Sequence, residues 1–190
     1  MEFSKALIDR LGKDAITSKQ ELLAVLRPKG IIIEGEFSGA SGARLPYYTD
    51  IKRGIGYQDA LLEMAISVGS RIGDKPDFVV GMGYGGVPLA TALELLYGVH
   101  MTMIRDGPKN HGLPTLFDGY EPRIGDRGIA VDDVTTTGGS LDKMNGIVRK
   151  TGAEITDFYV IAKRTEFNTD ITIAGRKVNY IIIPEELTGR

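Results

Sequence analysis

The stretch from residue 128 to residue 144, GIAVDDVTTTGGSLDKM, constrains the fold of this chain more than any other part of it. An apolar run ends in two adjacent aspartates, and a loop of threonine, glycine and serine leads into a helical pattern. Such an apolar run is typical of a buried parallel strand. Because open parallel sheets bind ligands beyond the carboxyl ends of their strands, we expect Asp132 and Asp133 to stand at that edge.

The rest of the chain repeats this order of strand, turn and helix. Residues 76–106 predict a strand, a glycine-rich turn, a helix and a strand, and two further strands are predicted around residues 154–164 and 178–187. Strands that alternate with helices favour an α/β fold with a mostly parallel sheet, flanked by helices on both faces. We therefore predict a single domain over residues 1–190.

The first part of the chain has a different pattern. Helical spacing of apolar residues is found in residues 1–12, and a helix is predicted from residue 19 up to Pro28 and Gly30. Two extended segments and a helix from Tyr57 to Ile72 follow. We expect residues 1 to about 55 to form a small N-terminal hood beside the sheet. The polar, Gly- and Pro-rich run over residues 107–126 is typical of a lid or binding loop.

Composition excludes several classes of function. The formal net charge is −2, so no overall basic field points to a nucleic-acid partner. The chain has no cysteine, which excludes disulfides and thiolate chemistry. The N-terminal residues are charged and lack the apolar core of a signal peptide, and no apolar run reaches the roughly 20 residues of a membrane span. We therefore expect a cytoplasmic protein with neither a nucleic-acid nor a membrane partner.

The loop after the acid pair has the chemistry of a phosphate site. Glycines let the backbone approach an anion, and N–H groups at a helix N-terminus bind phosphate together with hydroxyl donors. No lysine follows the glycines, so this is not a nucleotide-binding P-loop. The two carboxylates suit ribose hydroxyls, directly or through Mg²⁺ and its waters. The pattern predicts binding of a phosphorylated ribose, and a solvated Asp-Asp turn is the alternative. The loop residues concerned are Thr135, Thr136, Thr137, Gly138, Gly139 and Ser140.

The segment IAVDDVTTTGGS resembles the signature of the type I phosphoribosyltransferases, which bind 5-phosphoribosyl 1-diphosphate. The resemblance implies the type I phosphoribosyltransferase fold. It also implies that Asp132 and Asp133 hold the ribose hydroxyls while the loop that follows holds the 5-phosphate.

Three further segments are similar to those of orotate phosphoribosyltransferases. GEFSGASGARLPYYTDIK resembles the segment near the pyrimidine, IRDGPKNHG the mobile catalytic loop, and IAKRTE the strand end whose arginine binds the orotate carboxylate. The matching residues are Ser41, Gly42, Tyr47, Tyr48, Arg105, Lys109, His111, Gly112 and Arg164. Thr136 falls where a threonine of the family also contacts the base.

The resemblance implies a function and its partners. The expected reaction transfers the 5-phosphoribosyl group to orotate, giving orotidine 5′-monophosphate and diphosphate in de novo pyrimidine (UMP) biosynthesis. Mg²⁺ is the implied cofactor, near Asp132 and Asp133, and Arg105, Lys109 and His111 are the implied catalytic residues. The family also implies a homodimer in which a loop over residues 105–123 acts in the partner's site. A purine phosphoribosyltransferase and a non-catalytic regulator that binds the same donor stay open as alternatives.

The chain departs from the family at cationic positions. Asp106, Ala40 and Gly86 stand where members often have lysine. Fewer cations around a diphosphate weaken stabilisation of the leaving group. The candidates to compensate are Lys52, Arg53 and Arg123.

Two other groups of residues have competing interpretations. The glycines at 83, 85 and 86 either shape a helix entry or bind diphosphate at the end of a second parallel strand. His100, one of two histidines, follows a helix-like stretch, where a solvated or C-terminal capping role is expected.

Overall fold

A computed structural model of the chain describes residues 19–38, 44–105, 116–163 and 170–183, with the backbone alone at Glu34 and residues 45–47. Several residues singled out above lie outside this description. These are residues 1–12, Ala40, Ser41, Gly42, Asp106, Lys109, His111, Gly112, Arg164 and the side chain of Tyr47.

A seven-stranded sheet forms the centre of the described structure, in the order β5-β4-β3-β6-β7-β9-β8. The five inner strands are parallel, and the short strands β5 and β8 pair antiparallel at the two edges. The predicted mostly parallel sheet is therefore confirmed. The strands are β3 (Phe78–Met82), β4 (His100–Ile104), β5 (Phe117–Gly119), β6 (Arg127–Thr135), β7 (Glu154–Lys163), β8 (Thr172–Ile173) and β9 (Arg176–Ile182).

Helices cover both faces of this sheet, as the sequence predicts. They are α1 (Lys19–Leu26), α2 (Ile51–Ile55), α3 (Gln58–Gly69), α4 (Gly83–Tyr97) and α5 (Gly139–Val148). Successive strand residues point to opposite faces. Val79 and Ile129 accordingly pack in the core with α1, α3 and α4, whereas Val80 and Ala130 pack in the core with α5.

The N-terminal part adds a two-stranded antiparallel sheet of β1 (Ile32–Ser38) and β2 (Arg44–Thr49). It is tied to the core at its base, where the Asp50 N–H donates to the Ile31 carbonyl over 2.8 Å. Ile31 and Ile51 are both buried in the main core. The chain then enters α2, which contacts α4 and β6. The end of β2 is therefore held close to the carboxyl end of the central strand.

Strand β6 contains the acid pair near its carboxyl end, where the sequence predicts Asp132 and Asp133 to stand. β6 continues through both aspartates to Thr135, because β7 pairs with it as far as Thr135 and Lys163. Its pairing with β3 ends earlier, at Val131. Asp132 and Asp133 thus lie inside the strand, on the part that extends past β3.

The glycine-rich stretch after β3 differs from the turn that the sequence predicts there. No separate turn intervenes, because Gly83, at φ +67°, is already the first residue of α4. Gly85 and Gly86 are therefore helical. At the other end of α4, Gly98 at φ +61° ends the helix, so His100 begins β4 and its ring stacks on Tyr120 at 4.4 Å. His100 is exposed, so the solvated role expected for it is confirmed, and the alternative role as a helix cap is not.

Candidate active site

The acid pair on β6 is almost fully buried. Asp132 and Asp133 each expose 7% of their surface, and the Asp133 N–H donates to Oδ1 of Asp132 over 2.9 Å. Burial, helped by the like charge of Asp133, raises the pKa of Asp132 to about 7. Two adjacent carboxylates that are buried away from water repel each other when both are ionised. They then need hydroxyl or cationic partners.

Glycines of α4 make room for these acids. A Cβ atom at Gly85 would overlap Oδ1 and Cγ of Asp133 and lie 2.8 Å from its Cβ. A Cβ atom at Gly86 would lie 2.8 Å from the Val131 carbonyl oxygen. The first turn of α4 therefore packs directly on β6. This favours the packing interpretation of both glycines, and a lysine at position 86 does not fit this backbone.

The loop after β6 is shaped to present backbone N–H groups. The Gly138 N–H donates to Oγ1 of Thr135 over 3.0 Å, and Gly138 adopts φ +82° at the N-cap of α5. No side chain caps this helix. The N–H groups of a first helical turn have no partner within the helix, so those of α5 are donors for an anion.

A cavity of about 340 Å³ opens in front of this loop. One wall is formed by residues 48–52, from the end of β2 and the start of α2. The facing wall is formed by residues 133–137 with Gly139 and Ser140. The cavity thus joins the N-terminal sheet to the acid pair and the helix N-terminus.

Most predicted donor-site residues meet in this cavity. Those that line it are Asp133, Thr135, Thr136, Thr137, Gly139 and Ser140, and Tyr48, predicted for the orotate site, lines it as well. Asp132 and the buried Gly138 lie directly beside lining residues, and Gly85 packs beneath Asp133 without lining the cavity. The ring of Tyr48 is 40% exposed and lies 5.7 Å from that of Phe37.

Arg105 lies apart from the cavity lining. At the end of β4 its guanidinium forms an ion pair with Asp118 of β5, and its backbone N–H donates to the Leu116 carbonyl over 3.0 Å.

Sequence reasoning did not select the cavity residues Thr49, Asp50 and Ile51, and it considered Lys52 only as a compensating charge. The sequence feature that could have indicated them is Asp50, because an aspartate is a common N-cap and so predicts a helix that begins at the next residue. In the structure its carboxylate accepts from the Arg53 N–H over 3.2 Å and so starts α2, which turns Lys52 into the cavity.

The residues present fit a Mg²⁺ ion only if a substrate supplies some of the oxygen ligands. Within the described part of the chain, no cluster of three or more His, Asp or Glu side chains can hold a metal ion by itself. Mg²⁺ usually keeps several waters and binds through one or two carboxylates together with substrate oxygens. The Asp132–Asp133 pair, beside an open polar cavity, matches that kind of site.

Comparison with known proteins identifies the family. The family model for the phosphoribosyl transferase domain matches residues 57–171, which include the acid pair and the loop. The chain belongs to the phosphoribosyl transferase family.

Relatives within this family are orotate phosphoribosyltransferases, so the resemblance predicted from the sequence is confirmed. The orotate phosphoribosyltransferase of Pyrococcus abyssi is 38% identical, over 89% of this chain and 94% of that protein. That of Methanosarcina acetivorans is 35% identical, over 82% of this chain and 83% of that protein.

Solved structures of phosphoribosyl transferases confirm the fold. The crystal structure of orotate phosphoribosyltransferase from Aeropyrum pernix matches with a TM-score of 0.68 and 26% identity, over 88% of this chain and 96% of that one. Among the described residues, no helix has the length and apolar character needed to cross a membrane.

Proposed function

We propose that this chain is an orotate phosphoribosyltransferase, which transfers the 5-phosphoribosyl group of 5-phosphoribosyl 1-diphosphate to orotate. The products are orotidine 5′-monophosphate and diphosphate, and the reaction serves de novo pyrimidine (UMP) biosynthesis. One observation carries the proposal: the 340 Å³ cavity in which Asp133 of the acid pair, a hydroxyl-rich loop and Tyr48 meet. Membership of the family supports it, as do relatives that bear this name.

The substrate 5-phosphoribosyl 1-diphosphate, called the donor below, binds across the carboxyl end of β6. Asp132 and Asp133 accept hydrogen bonds from the ribose hydroxyls, and the loop from Thr135 to Ser140 surrounds the 5-phosphate. Uncapped N–H groups at the start of α5 and three threonine hydroxyls supply the donors that a phosphate monoester needs. Gly85 and Gly86 contribute to donor binding by letting α4 approach the acids.

Orotate binds at the side of the cavity formed by the N-terminal sheet. Tyr47 and Tyr48 contact the pyrimidine ring, Thr136 contacts the base, and Arg164 pairs with the orotate carboxylate. An arginine suits this role, since its planar guanidinium binds a carboxylate through two parallel hydrogen bonds. Tyr48 supports this arrangement, because it lines the cavity opposite Thr136.

The transfer breaks the bond between ribose C1 and the diphosphate oxygen and forms a bond from C1 to a ring nitrogen of orotate, whose proton leaves with the diphosphate. The diphosphate leaves with the bonding electron pair, so negative charge grows on it while positive charge grows on the ribose ring. Arg105, Lys109 and His111 stabilise the first charge. The buried carboxylates beside the ribose favour the second.

Mg²⁺ is the cofactor of this proposal, held by Asp132 and Asp133 through water or the ribose hydroxyls. When bound, it supplies positive charge that neutralises the diphosphate. The chain's own part is to fix the two carboxylates, which the backbone hydrogen bond between Asp133 and Asp132 supports.

The proposal also covers the domain organisation, the cellular location and the oligomeric state of the protein. Residues 1–190 act as one domain with a hood from residues 1 to about 55, supported by the contacts of α2 with α4 and β6. The protein acts in the cytoplasm as a homodimer, in which the loop over residues 105–123 of one subunit acts in the site of the other.

Release of diphosphate from 5-phosphoribosyl 1-diphosphate, measured with Mg²⁺ and a panel of bases, tests the proposal. Orotate is expected to support turnover, whereas uracil, adenine, guanine and xanthine are not. Turnover of a purine without turnover of orotate would assign the chain to purine salvage. Binding of the donor without release of diphosphate with any base would make it a regulator.

A further inference from the structure

Lys52 holds a position that the donor and base roles above leave unused. It is the second residue of α2, and its neighbour Ile51 is 1% exposed in the core. Gly54 is buried as well, where a Cβ atom would lie 3.2 Å from Cδ1 of Ile31 and 3.3 Å from Cε of Met64. The backbone on both sides of Lys52 is therefore fixed by packing, while its side chain reaches the cavity.

The charge in the cavity makes this side chain significant. The loop from Thr135 to Ser140 contains no basic residue. The charged residues that line the cavity are the acids Asp50 and Asp133 and the base Lys52. A phosphate group that enters here therefore meets two carboxylates and one ammonium group. Without that ammonium group, like-charge repulsion would oppose the helix N-terminus that attracts the phosphate.

The ammonium group of Lys52 is available for a ligand. In residues 19–38, 44–105, 116–163 and 170–183, Lys52 has no ion-pair partner. The nearer cavity acid, Asp50, already accepts a hydrogen bond from the Arg53 N–H. The charge of Lys52 also reaches the acid pair, where it lowers the pKa of Asp132 against the larger effect of burial.

The other two candidate cations lie elsewhere. The Arg53 guanidinium is directed toward Gly30, where a Cβ atom would lie 3.9 Å from its Nη1. The Arg123 guanidinium lies 5.9 Å from the centroid of the Tyr120 ring. Neither residue lines the cavity. Of the three cations considered, only Lys52 can face a ligand there.

We propose that Lys52 is a further substrate-binding residue, whose ammonium group holds a phosphate group of the donor from the wall opposite the loop. The inference rests on the proposed function for the identity of the donor. It goes beyond that function because it adds a cation from α2 to the residues that bind the donor. A fixed backbone on α2 carries this cation, so α2 and the central sheet hold the ligand between them.

The test compares Lys52→Met with Arg53→Met, since both remove one positive charge from α2 and introduce the same side chain. Affinities for 5-phosphoribosyl 1-diphosphate, ribose 5-phosphate, diphosphate and orotate are measured by calorimetry with Mg²⁺, and steady-state kinetics give KM and kcat. Because a hydrogen bond to a charged group is lost, we expect Lys52→Met to weaken donor binding about 10-fold or more, with a smaller change in kcat. Arg53→Met is expected to bind as the wild type does, and Lys52→Arg to recover most of the affinity.

The separate ligands locate the contact. Weaker binding of ribose 5-phosphate assigns Lys52 to the 5-phosphate, and weaker binding of diphosphate assigns it to the leaving group; either result supports the proposal. Donor binding unchanged in Lys52→Met, or lost equally in Arg53→Met, overturns it. A loss confined to orotate also overturns it. If the wild type itself does not bind the donor, the proposed function fails instead, and the two failures are thus distinguished.

Discussion

The carboxylate of Asp133 rests directly on the backbone of Gly85. A Cβ atom at Gly85 would overlap this carboxylate, so the first turn of α4 and the acid pair of β6 occupy one tightly packed unit. The absence of a side chain at Gly85 thus sets how closely α4 approaches Asp133.

Gly85→Ala is expected to displace Asp133 and weaken donor binding by at least 10-fold. The added methyl group must move the carboxylate or the helix, and overpacking of this kind costs about 1–3 kcal/mol of unfolding free energy. Calorimetry with 5-phosphoribosyl 1-diphosphate and thermal unfolding measure the two effects.

Gly146→Ala is the matched control for this substitution. Gly146 also lies in a helix, but a Cβ atom there meets nothing within 4 Å. Alanine is favoured over glycine in a helix by about 0.5–1 kcal/mol, so this variant should be slightly more stable and bind the donor normally. Equal donor binding by Gly85→Ala and Gly146→Ala would contradict the packing role of Gly85.

The double variant Asp132→Asn, Asp133→Asn is expected to lose donor binding while it keeps the fold. Both side chains are the same size before and after the change, but the amides no longer provide two anionic acceptors for ribose hydroxyls. Binding is measured by calorimetry and the fold by circular dichroism. Normal affinity in a folded double variant would refute the role of the acid pair.

Asp132→Asn alone is expected to change how stability depends on pH. The folded pKa of about 7 lies above the value of about 3.9 for an unfolded aspartate, so the folded state binds more protons between these values. Stability therefore falls as pH rises from about 4 to about 7, and the loss is complete above that range. The asparagine variant lacks this loss. The melting temperature of the variant minus that of the wild type should therefore be larger at pH 8 than at pH 5.

Asp59→Asn is the control of opposite sign. Its hydrogen bond to Lys29, at 2.6 Å, lowers the pKa of Asp59, so its contribution is lost only as pH falls below the ordinary range of an aspartate. Its melting temperature relative to wild type should stay constant from pH 5 to pH 8. Melting curves are recorded with a metal chelator. If the difference in melting temperature between Asp132→Asn and wild type is also constant from pH 5 to pH 8, the pKa of Asp132 is not raised.

Lys109→Ala is expected to lower kcat more than it weakens donor binding. Its proposed partner, the leaving diphosphate, gains negative charge only as the bond to ribose breaks, so the interaction is stronger in the transition state. Steady-state kinetics and direct binding separate the two effects. A rise in the dissociation constant with unchanged kcat would assign Lys109 to ground-state binding.

The central sheet and its helices could be predicted because their signals are local. Apolar runs such as residues 78–81 and the helical spacing after Gly139 identify elements without knowledge of their neighbours. The position of the loop from Thr135 to Ser140 between β6 and α5 was predictable for the same reason, since its residues are consecutive.

The parts that sequence reasoning missed depend on contacts between distant segments. Lys52 enters the cavity because α2 packs against α4 and β6, more than 30 residues away in the chain. The close approach of Gly85 to Asp133 likewise exists only in the folded chain.

The most direct test of the account is the formation of orotidine 5′-monophosphate from orotate and 5-phosphoribosyl 1-diphosphate with Mg²⁺. The wild type should form this product and diphosphate in equal amounts, and the Asp132→Asn, Asp133→Asn variant should form neither. Wild-type protein that binds the donor but forms no orotidine 5′-monophosphate would contradict the account.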